Sequence, residues 1–246
     1  MGMLLWRGAL MINDMLMVVA GSSGVVIEFS GLTINPDLYA LAYAQGYRGT
    51  GPVIVRVLAG ADLGALVISN SFPDLAVYIV NNGRIGGLGG SRNSRGGTGI
   101  YTRRKITITN NGTIFGGGGG GGDGGDARIC AYSSCSIGRG GGGGVGGGYV
   151  IISGSDYQYR QTGGVGYQGS QDSVPGVNSA TGGRGGDGGA IGLGGQSGSS
   201  GSTSGTSEPG FPTYFTPNSG GPAGYYVDGN SFVTWLATGT RLGNVI

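Results

Sequence analysis

Residues 182–195 read G-G-R-G-G-D-G-G-A-I-G-L-G-G, and their side chains fall on a beat of three: Arg184, Asp187, Ala190 and Leu193, with Ile191 the one exception. Helices repeat every 3.6 residues and strands every 2, so neither produces this beat. A polyproline-II-type helix does, with three residues per turn and a rise of about 3.1 Å. Two of its three faces carry no side chain here, so neighbouring backbones can close to contact. The phase returns at Ile85, Leu88 and Ser91, at Asp123 and Asp126 after the unbroken glycine run 116–122, and at Arg139 and Val145. Collagen needs abundant Pro, and 8 Pro exclude it.

Composition supports an ordered lattice over flexible linkers. Glycine fills 62 of 246 positions, while charged residues make up only 11%, which sets the chain apart from charge-rich disorder. Holding a Gly fixed costs about 0.5–1 kcal/mol more than holding an Ala. Side-chain burial cannot offset that cost, so backbone hydrogen bonds between packed glycine helices must. The predicted fold class is mostly irregular and all-β: an N-terminal β-rich domain, then a sandwich of packed polyglycine-II helices with short strands. The predicted division is an attachment domain over 1–65 and a glycine-rich domain over 66–246. Gln196 to Ser207, a run of Ser, Gly and Thr, reads as a flexible excursion.

Outside the glycine runs, Val25 to Phe29 and Val53 to Leu58 read as strands, and Asn35 to Tyr43 as a short helix. V-Y-I-V-N-N-G-R-I-G-G from Val77 aligns with I-T-I-T-N-N-G-T-I-F-G-G from Ile106 at an offset of 29 residues. Each copy predicts an alternating strand, an Asn-Asn-Gly turn with φ > 0, and a step into glycine. Tyr149 to Ser153 and a closing segment around Trp235 read as further strands.

Catalytic chemistry finds little support. There is no His, which removes Ser-His and Cys-His nucleophiles and His-ligated metals. No carboxylate pair suggests an acid and a base, no G-K-[ST] follows a glycine run, and G-G-D-G-G-D lacks the tandem series of calcium-binding β-rolls. No catalytic residue, metal or cofactor is expected. Cys130 and Cys135 read as two small residues flanking a surface loop, with a bond between them left open. A net charge of +2 gives no pull toward nucleic acid, and Arg103-Arg104-Lys105 reads as a solvated strand edge. Asn13 and Asp14 interrupt the apolar N-terminus, which argues against a signal peptide. Trp6 and the Met cluster that includes Met11, Met15 and Met17 suit a protein-docking surface or a local core.

Binding remains. Tyr132, Tyr157, Tyr159, Tyr167, Tyr214 and Phe215 lie in aromatic-polar segments between glycine tracts. Tyr gives large contact area at low entropic cost, and such rings can equally cap the lattice as small cores.

Glycine tracts alternating with aromatic-polar loops, the N-N-G-x-I lead into seven glycines, and the closing W-L-A-T-G-T-R-L-G together resemble the distal receptor-binding adhesins of T-even-like bacteriophage tail fibres. The resemblance covers about 75–246. It implies a polyglycine-II sandwich, variable loops at 91–102, 127–137, 155–174 and 206–219, and an N-terminal domain seated on a trimeric tail-fibre protein. Asn93, Arg95, Tyr101 and Arg160 then join the six aromatics as expected receptor contacts, with Trp6, Met11, Met15 and Met17 expected at the fibre. The host partner would be an outer-membrane protein or lipopolysaccharide, and the location the distal fibre tip of a virion assembled in the host cytoplasm. A purely structural glycine-rich protein and a departing fibre-assembly chaperone are the rival readings.

Overall fold

The computed structural model describes residues 24–131, 134–175 and 178–246, together with the backbone of Met11–Ile12 and Met15–Leu16, which pair antiparallel. Its strands alternate inward and outward faces with the period of two. In Val25–Phe29 the side chains of Val25, Ile27 and Phe29 turn inward, and in Val53–Val57 those of Val53, Val55 and Val57 do the same.

These strands build a parallel β-solenoid. One five-stranded sheet stacks Val25–Phe29, Val53–Val57, Val77–Asn81, Ile106–Asn110 and Val233–Ala237. A second stacks Leu32–Ile34, Asp62–Gly64, Arg84–Gly86, Thr113–Phe115 and Thr240–Leu242. A third runs through Leu66–Val67, Ile100–Tyr101, Tyr225–Asp228 and Asn244–Val245. The chain visits the sheets in turn, so like residues stack: Ile27 on Val55, Ile79 and Ile108; Leu63 on Ile85 and Ile114; Leu66 on Ile100 and Val227. All are buried, and each turn of the coil completes its core only with its neighbours.

The predicted helix is present as Leu38–Ala44, where Asp37 caps the first turn by accepting the Ala40 N–H at 2.9 Å. The Asn-Asn-Gly segments depart from expectation. They turn corners between two sheets, but neither copy holds a residue at positive φ. The 29-residue repeat is therefore one turn of the solenoid, which places Asn81 on Asn110 and Ile85 on Ile114.

Two insertions leave the solenoid between its second and third sheets, at 87–99 and at 116–224. Within them, successive residues of the thread 116–125 donate to different neighbours in a rotation of three. Gly118, Gly121 and Gly124 donate to Gly147, Gly144 and Gly141; Gly119, Gly122 and Gly125 to Leu193, Gln196 and Ser199; Gly117 and Gly120 to Gly97 and Ser94. Its carbonyls follow the same rule, accepting from Gly90 and Asn93, from Gly189, Gly186 and Gly183, and from Gly224, Gly221 and Asn218. One thread is thus hydrogen-bonded to six others, and the backbone donors of this buried segment are met. A methyl group at Gly117, Gly120 or Gly122 would overlap the carbonyl oxygens of Leu88, Ser91 or Asn218.

The Ser-rich run is not a flexible excursion. Gln196 and Ser199 accept from the central thread, their own N–H groups donate to Asp187 and Arg184, and Ser202–Gly205 forms a strand. Main-chain bonding does not depend on side-chain type, so Ser fits wherever its side chain points outward.

Candidate functional site

The central thread runs from the solenoid at Phe115 to a β-rich cap that begins at Ala127. In the cap, Ala127–Ala131 pairs with Ser134–Gly138 as a hairpin and, on its other edge, with Thr213–Tyr214. Gln171–Val174, Asn178–Thr181 and Ser202–Gly205 form a second antiparallel sheet, and Ala127, Ile129 and Ala180 make a small shared core. Cys130 and Cys135 face each other across the hairpin and are disulfide-bonded.

Segment 206–217 is draped over this hairpin. The Glu208 N–H donates to the Cys130 carbonyl at 3.0 Å, and the Phe215 N–H donates to the Asp126 carbonyl at 3.0 Å. Asn218 then rejoins the lattice by donating to Asp123. The loop is held by main-chain bonds at both ends, which leaves its rings outward: Tyr214 is 53% and Phe215 59% exposed. The Tyr214 hydroxyl lies 2.8 Å from Thr203 Oγ1, and the Arg128 guanidinium sits 5.4 Å over the Phe211 ring.

Two carboxylates support the cap from below. Asp123 and Asp126, three apart, accept the N–H groups of Gly143 and Gly140, also three apart, at 2.8 and 2.7 Å. The Gly143 N–H, with further help from Asn93, Arg92 and Asn218, holds the Asp123 carboxyl below its ordinary range. Asp187 is held low in the same way, first by the Gly166 N–H and then by Arg184.

The expected contact residues divide between the two ends of the lattice. Tyr214 and Phe215 are together on the cap, and Tyr167 is exposed on an outer thread. Asn93 is a tie in the lattice: its Oδ1 accepts the Asp123 N–H, and its Nδ2 donates to the Asp123 carboxylate. Arg95 lies over the Tyr225 ring and reaches the Ala223 carbonyl. Tyr101 is on the solenoid, with Arg103 over its ring and Arg103 paired to Asp228.

Tyr157, Tyr159 and Arg160 lie on strand Asp156–Arg160, whose partner Gly148–Ser153 starts beside Gly87 at the solenoid end. Tyr159 packs against Phe115 and Tyr149, with the Arg84 guanidinium 4.1 Å over its ring. Arg84 in turn makes a two-pronged bond to Asp62 at 2.6 and 2.8 Å, and Asp62 accepts the Tyr149 hydroxyl at 3.1 Å. Burial pushes both phenols up, and the bond to Asp62 keeps Arg84 charged. Trp6, Met17 and Tyr132 lie outside the described residues; Met11 and Met15 belong to the short N-terminal strand pair.

Arg128 and Phe211, which share the cap with Tyr214, fall inside the expected loops 127–137 and 206–219 without having been singled out, and Thr203 lies outside those loops. The proline-flanked aromatic run F-P-T-Y-F was the available signal for Phe211, and nothing local marked Thr203. Among the described residues no cluster of His, Cys, Asp or Glu suits a metal ion, and no helix is long and apolar enough to cross a membrane.

No curated protein matches the chain. The crystal structure of the gp37-gp38 adhesin tip complex of the bacteriophage S16 long tail fiber is similar in fold, with a TM-score of 0.52 and 22% identity, over 92% of this chain and 83% of that one. The family described as phage tail fibre adhesin Gp38 matches residues 25–246. The match takes in the solenoid, the lattice and the cap alike, and the chain belongs to the phage tail fibre adhesin Gp38 family.

Proposed function

We propose that this tail fibre adhesin binds a host cell-surface receptor through the aromatic-polar cap at the far end of a polyglycine-II lattice. The observation that carries the reading is the pairing of exposed Tyr214 and Phe215 on segment 206–217 with a lattice beneath it bonded through main chain. Loops on such a support can change side chains without repacking a core, and rigid presentation lowers the ordering cost of binding. At about 3.1 Å per residue, the thread 116–125 would hold the cap on the order of 30 Å from the solenoid. The rotation of hydrogen bonds in threes is what supports assigning these threads as polyglycine-II helices packed in a sandwich.

In this reading the protein binds and does not catalyse. The cap is the outermost point of the virion, and the receptor is an outer-membrane protein or lipopolysaccharide. The N-terminal region, with Trp6, Met11, Met15 and Met17, seats the adhesin on the trimeric fibre protein, after assembly in the host cytoplasm. Tyr167 belongs to the contact surface as a flank. Tyr157, Tyr159 and Arg160, beside the solenoid, contribute only if the receptor reaches that far.

The test is adsorption of virions carrying Tyr214→Ala with Phe215→Ala. Attachment is expected to fall at least tenfold while the melting temperature of the purified protein stays put, the equivalent of about 1.4 kcal/mol or more of binding energy. Unchanged adsorption would move the receptor surface elsewhere. Absence of the protein from purified virions, read by mass spectrometry, would favour the assembly chaperone.

A further inference from the structure

The cap carries a chemical group that its proposed binding role does not use, the Cys130–Cys135 disulfide. Its two sulfurs sit in unlike places. Cys130 is buried, whereas Cys135 is exposed, and the exposed Arg128 guanidinium lies 3.5 Å from the Cys135 Sγ. The bond crosses a hairpin between directly opposed residues, and the Cys130 carbonyl is the anchor for the Glu208 N–H at the start of the aromatic segment. Phe211 N–H turns back onto the Glu208 carbonyl, and Thr213–Tyr214 lies along the same hairpin strand. Disulfide, hairpin and exposed rings therefore form one mechanical unit. Among the described residues the glycine threads below take no bond from either cysteine and are closed by their own backbone and by the Asn93, Asp123, Asp126 and Asp187 side chains.

We propose that the Cys130–Cys135 bond is a redox latch on the receptor-binding cap: reduced, the cap is loose and binds poorly, and exchange with a small-molecule disulfide outside the cell sets it, that disulfide taking up the two electrons and two protons and leaving as two thiols. This rests on the reading of the cap as the receptor surface. Chains made in a cytoplasm meet thiol reductants, and extracellular surfaces are oxidising, so the two states correspond to before and after release.

The reducing direction is thiol–disulfide exchange with a dithiol. A thiolate of the dithiol attacks the accessible Cys135 Sγ, the S–S bond breaks, and the electron pair leaves on Cys130 Sγ, which takes a proton from water. The reductant's second thiolate then attacks its own sulfur in the mixed disulfide and releases Cys135 as a thiolate. Arg128 is placed to stabilise that thiolate. The protein gains two thiols and the dithiol becomes a disulfide.

The experiment treats whole virions with dithiothreitol, blocks free thiols with iodoacetamide, removes both reagents and measures adsorption to host cells. Two alkyl groups per chain are expected, with adsorption slowed about tenfold, the scale of ordering a loop and several side chains on binding. Hydrogen exchange should rise in 127–138 and 206–215 and stay slow in 116–125. Virions carrying Cys130→Ser with Cys135→Ser should adsorb at the reduced level and show no further fall with reductant, which excludes damage elsewhere on the particle. Full alkylation with unchanged adsorption overturns the latch, as does a double variant that adsorbs like untreated virus. Loss of the slow exchange in 116–125 overturns it too, since the bond would then hold the lattice. Failure of the adhesin reading is separately visible, because virions with Tyr214→Ala and Phe215→Ala would then adsorb normally.

Discussion

Asn81 donates an Nδ2–H to the Oδ1 of Asn110 at 2.8 Å, one solenoid turn away, and Asn110 passes the bond on to the Thr238 carbonyl at 2.7 Å. Both side chains are buried, so this ladder satisfies polar groups inside an otherwise aliphatic coil. Replacing Asn110 with Leu would remove the donor to the Thr238 carbonyl and leave the buried Asn81 with the Thr113 carbonyl as its remaining acceptor. The expected cost is about 2–3 kcal/mol, read by denaturant unfolding. A cost under about 0.5 kcal/mol would show that the ladder contributes nothing.

Two glycines in the lattice should respond in opposite ways to the same methyl group. At Gly122 a Cβ would overlap the Asn218 carbonyl, and Gly122→Ala should cost more than about 3 kcal/mol or prevent folding. At Gly164 the nearest atom to a Cβ is the Val145 nitrogen at 3.5 Å, and φ is not positive. Gly164→Ala should be neutral or stabilise by up to about 1 kcal/mol, because it restricts the unfolded chain. Melting curves of the pair decide; equal effects would contradict the packing described.

Acid should loosen the lattice. The Asp123 carboxyl is held below its ordinary value, chiefly by the Gly143 N–H, so its folded pKa is lower than its unfolded one. Its stabilisation is then complete above the unfolded value of about 4 and fades as pH falls through the folded value. Melting temperature should be flat from about pH 5 to 8 and decline below about pH 4. Asp123→Asn should lower the plateau and flatten the acid limb, and an unchanged limb would assign the decline to other carboxylates.

The junction should behave as core. Tyr159→Ala removes a ring packed on Phe115 and Tyr149 and takes the face away from Arg84. A loss of about 2–4 kcal/mol is expected, visible as a lower melting temperature. Fully retained stability, combined with lost adsorption, would instead make Tyr159 a receptor contact.

The sequence announced several elements outright. Ile106–Asn110, I-T-I-T-N, alternates so regularly that its inward Ile106 and Ile108 follow from the pattern, while Val25–Phe29 and Val53–Val57 were marked by their Val and Ile content. The offset between Asn81 and Asn110 marked a repeat, but that the copies stack as turns of one coil appears only when Ile79 is found on Ile108. Tyr159 and Tyr214 look alike in sequence, each an aromatic in a polar segment. One is packed beneath Arg84 and the other stands in solvent, because their neighbours come from distant parts of the chain.

The glycine tracts show the division most sharply. Side chains spaced by threes at Arg184, Asp187 and Ala190 mark where side chains can be tolerated, and the same beat returns in the hydrogen bonds of the thread 116–125. Apart from the ties at Asp123 to Asn93 and Gly143, the six threads around 116–125 are written in no side chain, since every glycine offers the same donor and acceptor. Lengths of tract, the turns that join them and the solenoid that receives both ends select one packing. Sequence thus marked where threads could run, and tertiary structure chose their partners, because a backbone hydrogen bond is blind to identity and sensitive only to position.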